Sequence, residues 1–350
     1  MGADRPTLDT VAQAAGVSRM TVSNAYNRPD QLSAATRERV LAVAAELGYA
    51  GPDPAGRSLR RGRAGAVGVV LTESLSYAFT DPGLVSFLRG VADGLTAAGQ
   101  ALLLVPTHDG ARDDLVRDAI VDAIIVCSLP ADGPAVAAVR SRGLPFVTVG
   151  RPKLRGVPWT GVDNQAGAAL AAQHLVGLGH RRLAVVGVPS EMPLEPDGRV
   201  VDARPGFAAR VSGFVEAAAE LGVDDVQVVD ARTNAIDAGA AAAAEVLGVR
   251  PRRTGVFCVS DALALGVLSG AADAGLHVPG DVSVVGFDGI DDGAHSRPPL
   301  TTVAQDLRGQ GLRAAEAVLA LVDGRRASLG RVRPELLVRA STGAPARTRR

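Results

Sequence analysis

Apolar side chains recur every three or four positions through the first fifty residues, and beyond Ala64 the pattern changes to short apolar runs separated by Ala-rich stretches. The first pattern predicts three short helices. Leu8, Val11, Ala12 and Ala15 share one helical face behind a cap at Thr7. Gly16 then supplies the positive φ of a tight turn. Ser18 caps a second helix, SRMTVSNAYN, that turns Val22, Ala25 and Tyr26 inward. Ser33 caps a third running through Leu47, with Val40, Leu41, Ala44 and Leu47 inward and Gly48 at its end. Two helices joined by a glycine turn, with a third packed behind, form the helix-turn-helix plan.

The second pattern predicts buried parallel strands at AVGVVL, ALLLV, AIIVC, PFVTV, LAVVG, VQVV, GVFCV and VSVVGF. Each run is short, apolar and bounded by Gly or Pro, as strands covered on both faces are. Ala-rich helices between them give a doubly wound α/β architecture. A weak internal echo, VSFLRGVADGLTAAGQALLLV at 85–105 against VSGFVEAAAELGVDDVQVV at 211–229, predicts two lobes.

Composition narrows the class. A chain of 350 residues exceeds one ordinary core. No apolar run approaches the roughly 18–20 residues of a membrane span, and the polar start MGADRPTLDT is unlike a secretory signal. A cytoplasmic protein without membrane contact is expected. Cys127 and Cys258 sit in apolar strand-like runs and read as buried thiols. The five histidines are scattered, so neither a metal site nor a cofactor is expected. There is no G-x-S-x-G, P-loop or coherent dinucleotide fingerprint, which argues against an enzyme.

Net charge is zero, yet residues 1–63 carry nine arginines against six acids and the remainder 28 bases against 31 acids. What the second helix leaves outside fits DNA. Arg and Asn side chains such as Arg19 and Asn24 make bidentate contacts to guanine and adenine, and Met20 can touch a thymine methyl. Ser18, Thr21, Ser23, Asn27 and Thr36 are candidates for phosphate contacts, helped by helix N-termini.

The string TLDTVAQAAGVSRMTVSNAYNRPDQLSAATRERVLAVAAELGY resembles the headpiece of the lactose-repressor (LacI/GalR) family almost position for position. The segments GVDNQAGAALAAQHLVGLGHRRLAVVG and GDVSVVGFDGIDDGAHSRPPLTTVAQD are similar to that family as well, so the resemblance spans residues 6 to about 340. It implies a headpiece at 1–50, a hinge at 51–63, and two lobes of periplasmic-binding-protein type. The N-terminal lobe comprises 64–162 and 305–330, the C-terminal lobe 163–304 and 331–341, with a basic tail at 342–350. By the resemblance Arg19, Met20 and Asn24 occupy base-reading positions. Leu59 matches a leucine that wedges into the minor groove, with Arg57, Arg60 and Arg61 offsetting phosphate charge. Asp53 and Gly56 depart from the usual Asn and Ala, and Gly56 weakens a hinge helix by about 0.5–1 kcal/mol.

The implied function is a dimeric repressor whose operator affinity is set by a small molecule, a sugar, held between the lobes. A purine-type co-repressor, an activator and a sugar-binding protein without DNA remain alternatives. Ligands in such folds sit beyond the carboxyl ends of strands, which nominates Asp288 after VSVVGF. Arg210 matches the family's effector-facing arginine, and Ser260-Asp261 stands where Asn-Asp is commoner. Asp163 either faces the cleft or caps the next helix. Tyr77, Phe79 and Asp81 follow the first strand and can offer a stacking face and a hydroxyl acceptor, or simply pack a loop. The polar loop at 188–206 either closes over the cleft or lies on the surface.

Overall fold

The computed structural model describes residues 6–51, 62–107, 113–188 and 205–346. Leu59, Arg57, Arg60, Arg61 and most of the 188–206 loop lie outside the described residues. The chain divides into two compact units, Met1–Gly65 and Ala66–Arg350.

The first unit holds helices α1 (Leu8–Ala15), α2 (Arg19–Asn27) and α3 (Ala34–Glu46), with a 3₁₀ turn at Pro29–Gln31. Thr7, Ser18 and Ser33 each accept the backbone N–H three residues on, satisfying one of the donors a helix start leaves open. Gly16 has φ +64° with open space around its Cα, so backbone conformation rather than crowding requires glycine there. Val11, Val22, Ala25, Val40 and Ala44 form the small core. Leu47, expected inward, is 41% exposed because α3 ends at Glu46; Tyr49 packs instead, edge-on to Tyr26 at 6.0 Å.

The second unit runs β1 (Ala66–Leu71), α4 (Leu75–Thr80), α5 (Pro82–Ala97), β2 (Ala101–Pro106), α6 (Asp113–Asp118), β3 (Ala123–Cys127), α7 (Pro134–Ser141), β4 (Phe146–Val149) and β5 (Trp159–Val162). It continues with α8 (Asn164–Gly177), β6 (Leu183–Gly187), α9 (Pro205–Glu220), β7 (Val226–Asp230), α10 (Ile236–Gly248), β8 (Gly255–Cys258) and α11 (Asp261–Asp273). Last come β9 (Ser283–Asp288), α12 (Asp291–His295), β10 (Thr301–Ala304), α13 (Leu307–Val322), β11 (Arg331–Val332) and β12 (Glu335–Leu337).

Two six-stranded sheets result, ordered β11-β5-β4-β3-β1-β2 and β12-β10-β9-β8-β6-β7. Apart from the antiparallel β12, every pairing is parallel. Both lobes therefore reverse strand order at equivalent places, beside β1 and β6, where open α/β sheets form ligand crevices. The chain crosses between lobes after β5, after β10 and between β11 and β12. Since β11 pairs with β5, the last crossing falls beyond Val332 rather than at the expected 330/331 boundary. The tail also starts later than expected. Thr342 and Gly343 bond His174, His180 and Ser283 of the second lobe, so the chain stays packed there beyond 341. Phe214 and Phe257 stack at 4.9 Å in that lobe's core, with Phe287 edge-on to Phe257. A Cβ on Gly167 would meet the Phe287 ring at 2.7 Å, so close approach requires that glycine.

Candidate nucleic-acid surface and interlobe cleft

On α2 the polar face is open. Arg19 is 67% exposed on its side chain, with a 3.6 Å ion pair to Asp9, and Met20 is 67% exposed. Asn24 donates from Nδ2 to Gln31 Oε1 at 3.3 Å, on the 3₁₀ turn that follows. Ser18 and Thr21 bond through their hydroxyls at 2.8 Å, as do Ser33 and Thr36. Asn27 donates back to the Ser23 carbonyl at 3.0 Å and hydroxyl at 3.3 Å. These groups are held by short local bonds and stay close to solvent, an arrangement open to phosphate and base edges.

Between the lobes lies a cavity of about 350 Å³, within the size range of small-molecule sites. Arg210 on α9 and Asp288 at the end of β9 form its buried centre. The guanidinium donates from Nη1 to Asp288 Oδ1 at 3.1 Å and to the Val259 carbonyl at 2.6 Å, and from Nε to Asn164 Oδ1 at 2.8 Å. It lies 3.7 Å over the Phe287 ring. Burial pulls Arg210 below its ordinary pKa, opposed by Asp288. Burial likewise pushes the Asp288 carboxyl up to about 7, with Arg210 opposing and Asp261 and Asp81 adding repulsion.

Asp288 also has φ +129°, a backbone strain that persists only when neighbours fix it. Asp261, fully buried, does so by accepting the N–H groups of Gly289 and Ile290 at 2.8 and 2.9 Å and the Thr302 hydroxyl at 2.6 Å. Gln305, in the second crossing, donates to Asp288 Oδ1 at 2.6 Å, and Gln310 on α13 donates to the Gln305 carbonyl at 2.6 Å. The carboxylate at the cleft centre is thus bonded into both a lobe and a crossing segment.

A second polar set bridges the lobes. Tyr77 donates its hydroxyl to Asp81 Oδ2 at 2.6 Å, and Asn234 Nδ2 reaches Tyr77 Oη at 3.0 Å and Asp81 Oδ2 at 3.3 Å. Ser260 donates to Asn234 Oδ1 at 2.5 Å, fixing the amide so that its N–H groups face Asp81.

Of the cleft residues nominated from the sequence, Tyr77, Asp81, Arg210 and Asp288 line the cavity. Three do not. Asp163 caps α8 through Ala166 N and pairs with Arg331, leaving Asn164 to face the cavity. Ser260 is fully buried behind Asn234, capping α11. Phe79 is 68% exposed and outside, because Tyr77 and Asp81 lie on or beside a helix rather than a loop. Asn164, Asn234, Gln305 and Gln310 were missed. Asn234 follows β7 at its carboxyl end, and the rule that nominates Asp288 would have found it.

Cys258 is buried and Cys127 half-buried at the cavity edge, its thiol pushed up to about 12 chiefly by burial. His180 is buried and bonds Thr254, Ser283 and the Gly343 carbonyl, a structural tie between β8, β9 and the C-terminal segment. Among the described residues no group of acids, His and Cys is arranged to hold a metal, and no helix is long and apolar enough to cross a membrane.

A helix-turn-helix unit followed by a two-lobed core with a polar cleft defines a DNA-binding regulator that carries its own small-molecule sensor. Comparison with known proteins agrees with that class. Residues 7–51 match the model of bacterial regulatory proteins of the lacI family, and residues 172–342 that of a periplasmic binding protein-like domain. The HTH-type transcriptional regulator IpsA of Corynebacterium glutamicum is 40% identical over 333 residues, covering 91% of each chain. The solved complex of the regulator CelR with cellobiose is 31% identical, with TM-score 0.64 over 96% of this chain and all of that one. The lac repressor dimer bound to operator and an anti-inducer is 25% identical, with TM-score 0.76 over 97% and 100%. The chain belongs to the LacI family: it is a DNA-binding transcriptional regulator, and the family consists of regulators rather than enzymes.

Proposed function

We propose that the chain is a cytoplasmic, dimeric repressor whose operator affinity is set by a sugar held between its lobes. The observation that carries the effector half is the Arg210–Asp288 pair at the centre of the cavity, tied through Gln305 to a crossing segment. A ligand hydroxyl meeting Asp288 competes with those bonds, and so biases the angle between lobes. CelR, which holds cellobiose in its solved complex, supports a sugar as the ligand class. The lac repressor, a dimer on its operator, supports the dimer.

In this reading Arg19, Met20 and Asn24 read bases, while Ser18, Thr21, Ser23, Asn27 and Thr36 hold phosphates. Leu59 and its neighbouring arginines enter the minor groove, and Tyr77, Asp81, Asn164, Arg210, Asn234 and Asp288 hold the effector. Selection of bound fragments from a genomic library, followed by light scattering of the complex, tests it. The expected result is a pseudo-palindromic site carrying two copies of the chain. A monomer or tetramer on the selected fragment, or fragments sharing no sequence, overturns it.

A further inference from the structure

The helix ends around the cavity determine which charge it accepts. In α/β folds, phosphates and carboxylates of ligands bind at helix N-termini, where open N–H groups and the helix dipole favour negative charge. Four long helices bring first-turn residues to this cavity, and three of them are already closed by a carboxylate of the chain itself. Asp81 Oδ1 accepts from Gly83 and Leu84 at the start of α5, at 2.8 and 3.4 Å. Asp163 Oδ1 accepts from Ala166 of α8 at 3.1 Å, and Asp306 Oδ1 from Gly309 of α13 at 3.1 Å. A fourth helix, α9, begins at the edge of the described residues.

The buried cation is committed too. Arg210 spends its described bonds on Asp288, Asn164 and the Val259 carbonyl. Counting the described lining, Glu73, Asp81 and Asp288 stand against Arg151 and Arg210. A ligand anion would therefore enter a site where carboxyl groups outnumber guanidiniums and where three of the four helix starts are already closed by the chain's own carboxylates. The rest of the lining suits hydroxyls and C–H faces: Asn164, Asn234, Gln305 and Gln310 supply amides, while Leu84 and Leu307 are apolar.

We infer that the cleft selects an uncharged polyhydroxy ligand and rejects sugar phosphates and sugar acids, with Asp81 as the main determinant of that choice. This rests on the cleft being the effector site. Repulsion between a ligand anion and these carboxylates, weakly screened inside the cavity, sets a preference for the uncharged member on the order of tenfold or more.

Thermal unfolding of the full chain, followed through the core, tests the inference with matched millimolar probes: glucose and glucose 6-phosphate, ribose and ribose 5-phosphate, galactose and galacturonate, and inorganic phosphate against sodium chloride of equal ionic strength. The expected result is stabilisation by an uncharged sugar and none by its charged counterpart. Inorganic phosphate leaves the parent chain unmoved but stabilises Asp81→Asn. Asp81→Ser, which keeps a good helix cap, serves as a second variant should the first fold poorly. In either variant the preference for a sugar over its phosphate falls on the order of tenfold. Stabilisation of the parent chain by a sugar phosphate, a sugar acid or inorganic phosphate overturns the inference. No response to any sugar overturns the sugar reading instead, and the phosphate comparison then decides the charge rule alone.

Discussion

The polar face of α2 and the interlobe cleft both present charged and amide side chains, but they hold them in opposite ways. Arg19 and Met20 stand in solvent, and Asn24 and Asn27 are tied only to neighbours within one short stretch of chain. Arg210 is buried, stacked on Phe287 and bonded to three elements, and Asp288 is bonded to a helix and to a crossing segment. A surface that reads DNA can change its residues with little effect on the fold. A cleft whose polar groups are bonded to several segments at once is part of the fold, so a change there alters stability along with any ligand response.

The largest expected effect sharpens that contrast. Arg210→Met leaves Asp288 buried without its counter-charge, a loss of roughly 3–5 kcal/mol for a broken buried pair. Urea unfolding of the core should show it; an unchanged midpoint would break the comparison. Arg19→Ala should weaken operator binding by about 1–3 kcal/mol while moving headpiece stability by less than about 0.5 kcal/mol. Paired DNA titration and headpiece melting check both halves. Ser260→Ala removes the α11 cap and frees the Asn234 amide, and should cost about 1–2 kcal/mol in core unfolding.

A smaller effect concerns pH. Burial holds His180 below its ordinary pKa, so it is neutral in the folded core and more readily protonated when unfolded. Its contribution is present above about pH 6.5 and lost as pH falls below that value. Core stability measured from neutral to mildly acidic pH should therefore fall less steeply in His180→Gln. Phe79→Ser should change neither stability nor ligand response, since the ring is exposed and outside the cavity.

The sequence revealed most where structure is made locally. Thr7, Ser18 and Ser33 are caps because a hydroxyl reaches an amide three residues on, which spacing alone shows. The eight apolar runs are all strands: six lie inside the sheets and are largely buried, whereas β2 and β7 form sheet edges and leave Leu103 and Val228 exposed. The strands it hid are β5, β10, β11 and β12, short segments with Thr, Arg or Glu; β11 and β12 pair only with chain far from them in sequence, and β5 and β10 gain their second neighbour that way. Thr160, for instance, bonds the Gly330 carbonyl, far along the chain. The cleft follows the same division. Asp288 was legible from its place at a strand end, whereas Gln305 faces it only through the crossing. Tyr77 and Phe79 looked equivalent as loop residues, but two positions apart on a helix they lie roughly 200° apart, so one meets the cleft and the other solvent.

The most direct test of the central claim, that one chain couples the cleft to DNA, is fluorescence anisotropy on DNA from upstream of its own gene, at physiological ionic strength, with and without an uncharged sugar that stabilises the core. Linkage requires the sugar to change DNA affinity by the same factor that DNA changes sugar affinity. The account predicts selective binding over a scrambled duplex, an equal factor in both directions, and no sugar response in Arg210→Met. DNA affinity unmoved by a sugar that binds the core, or equal affinity for both duplexes, would contradict it.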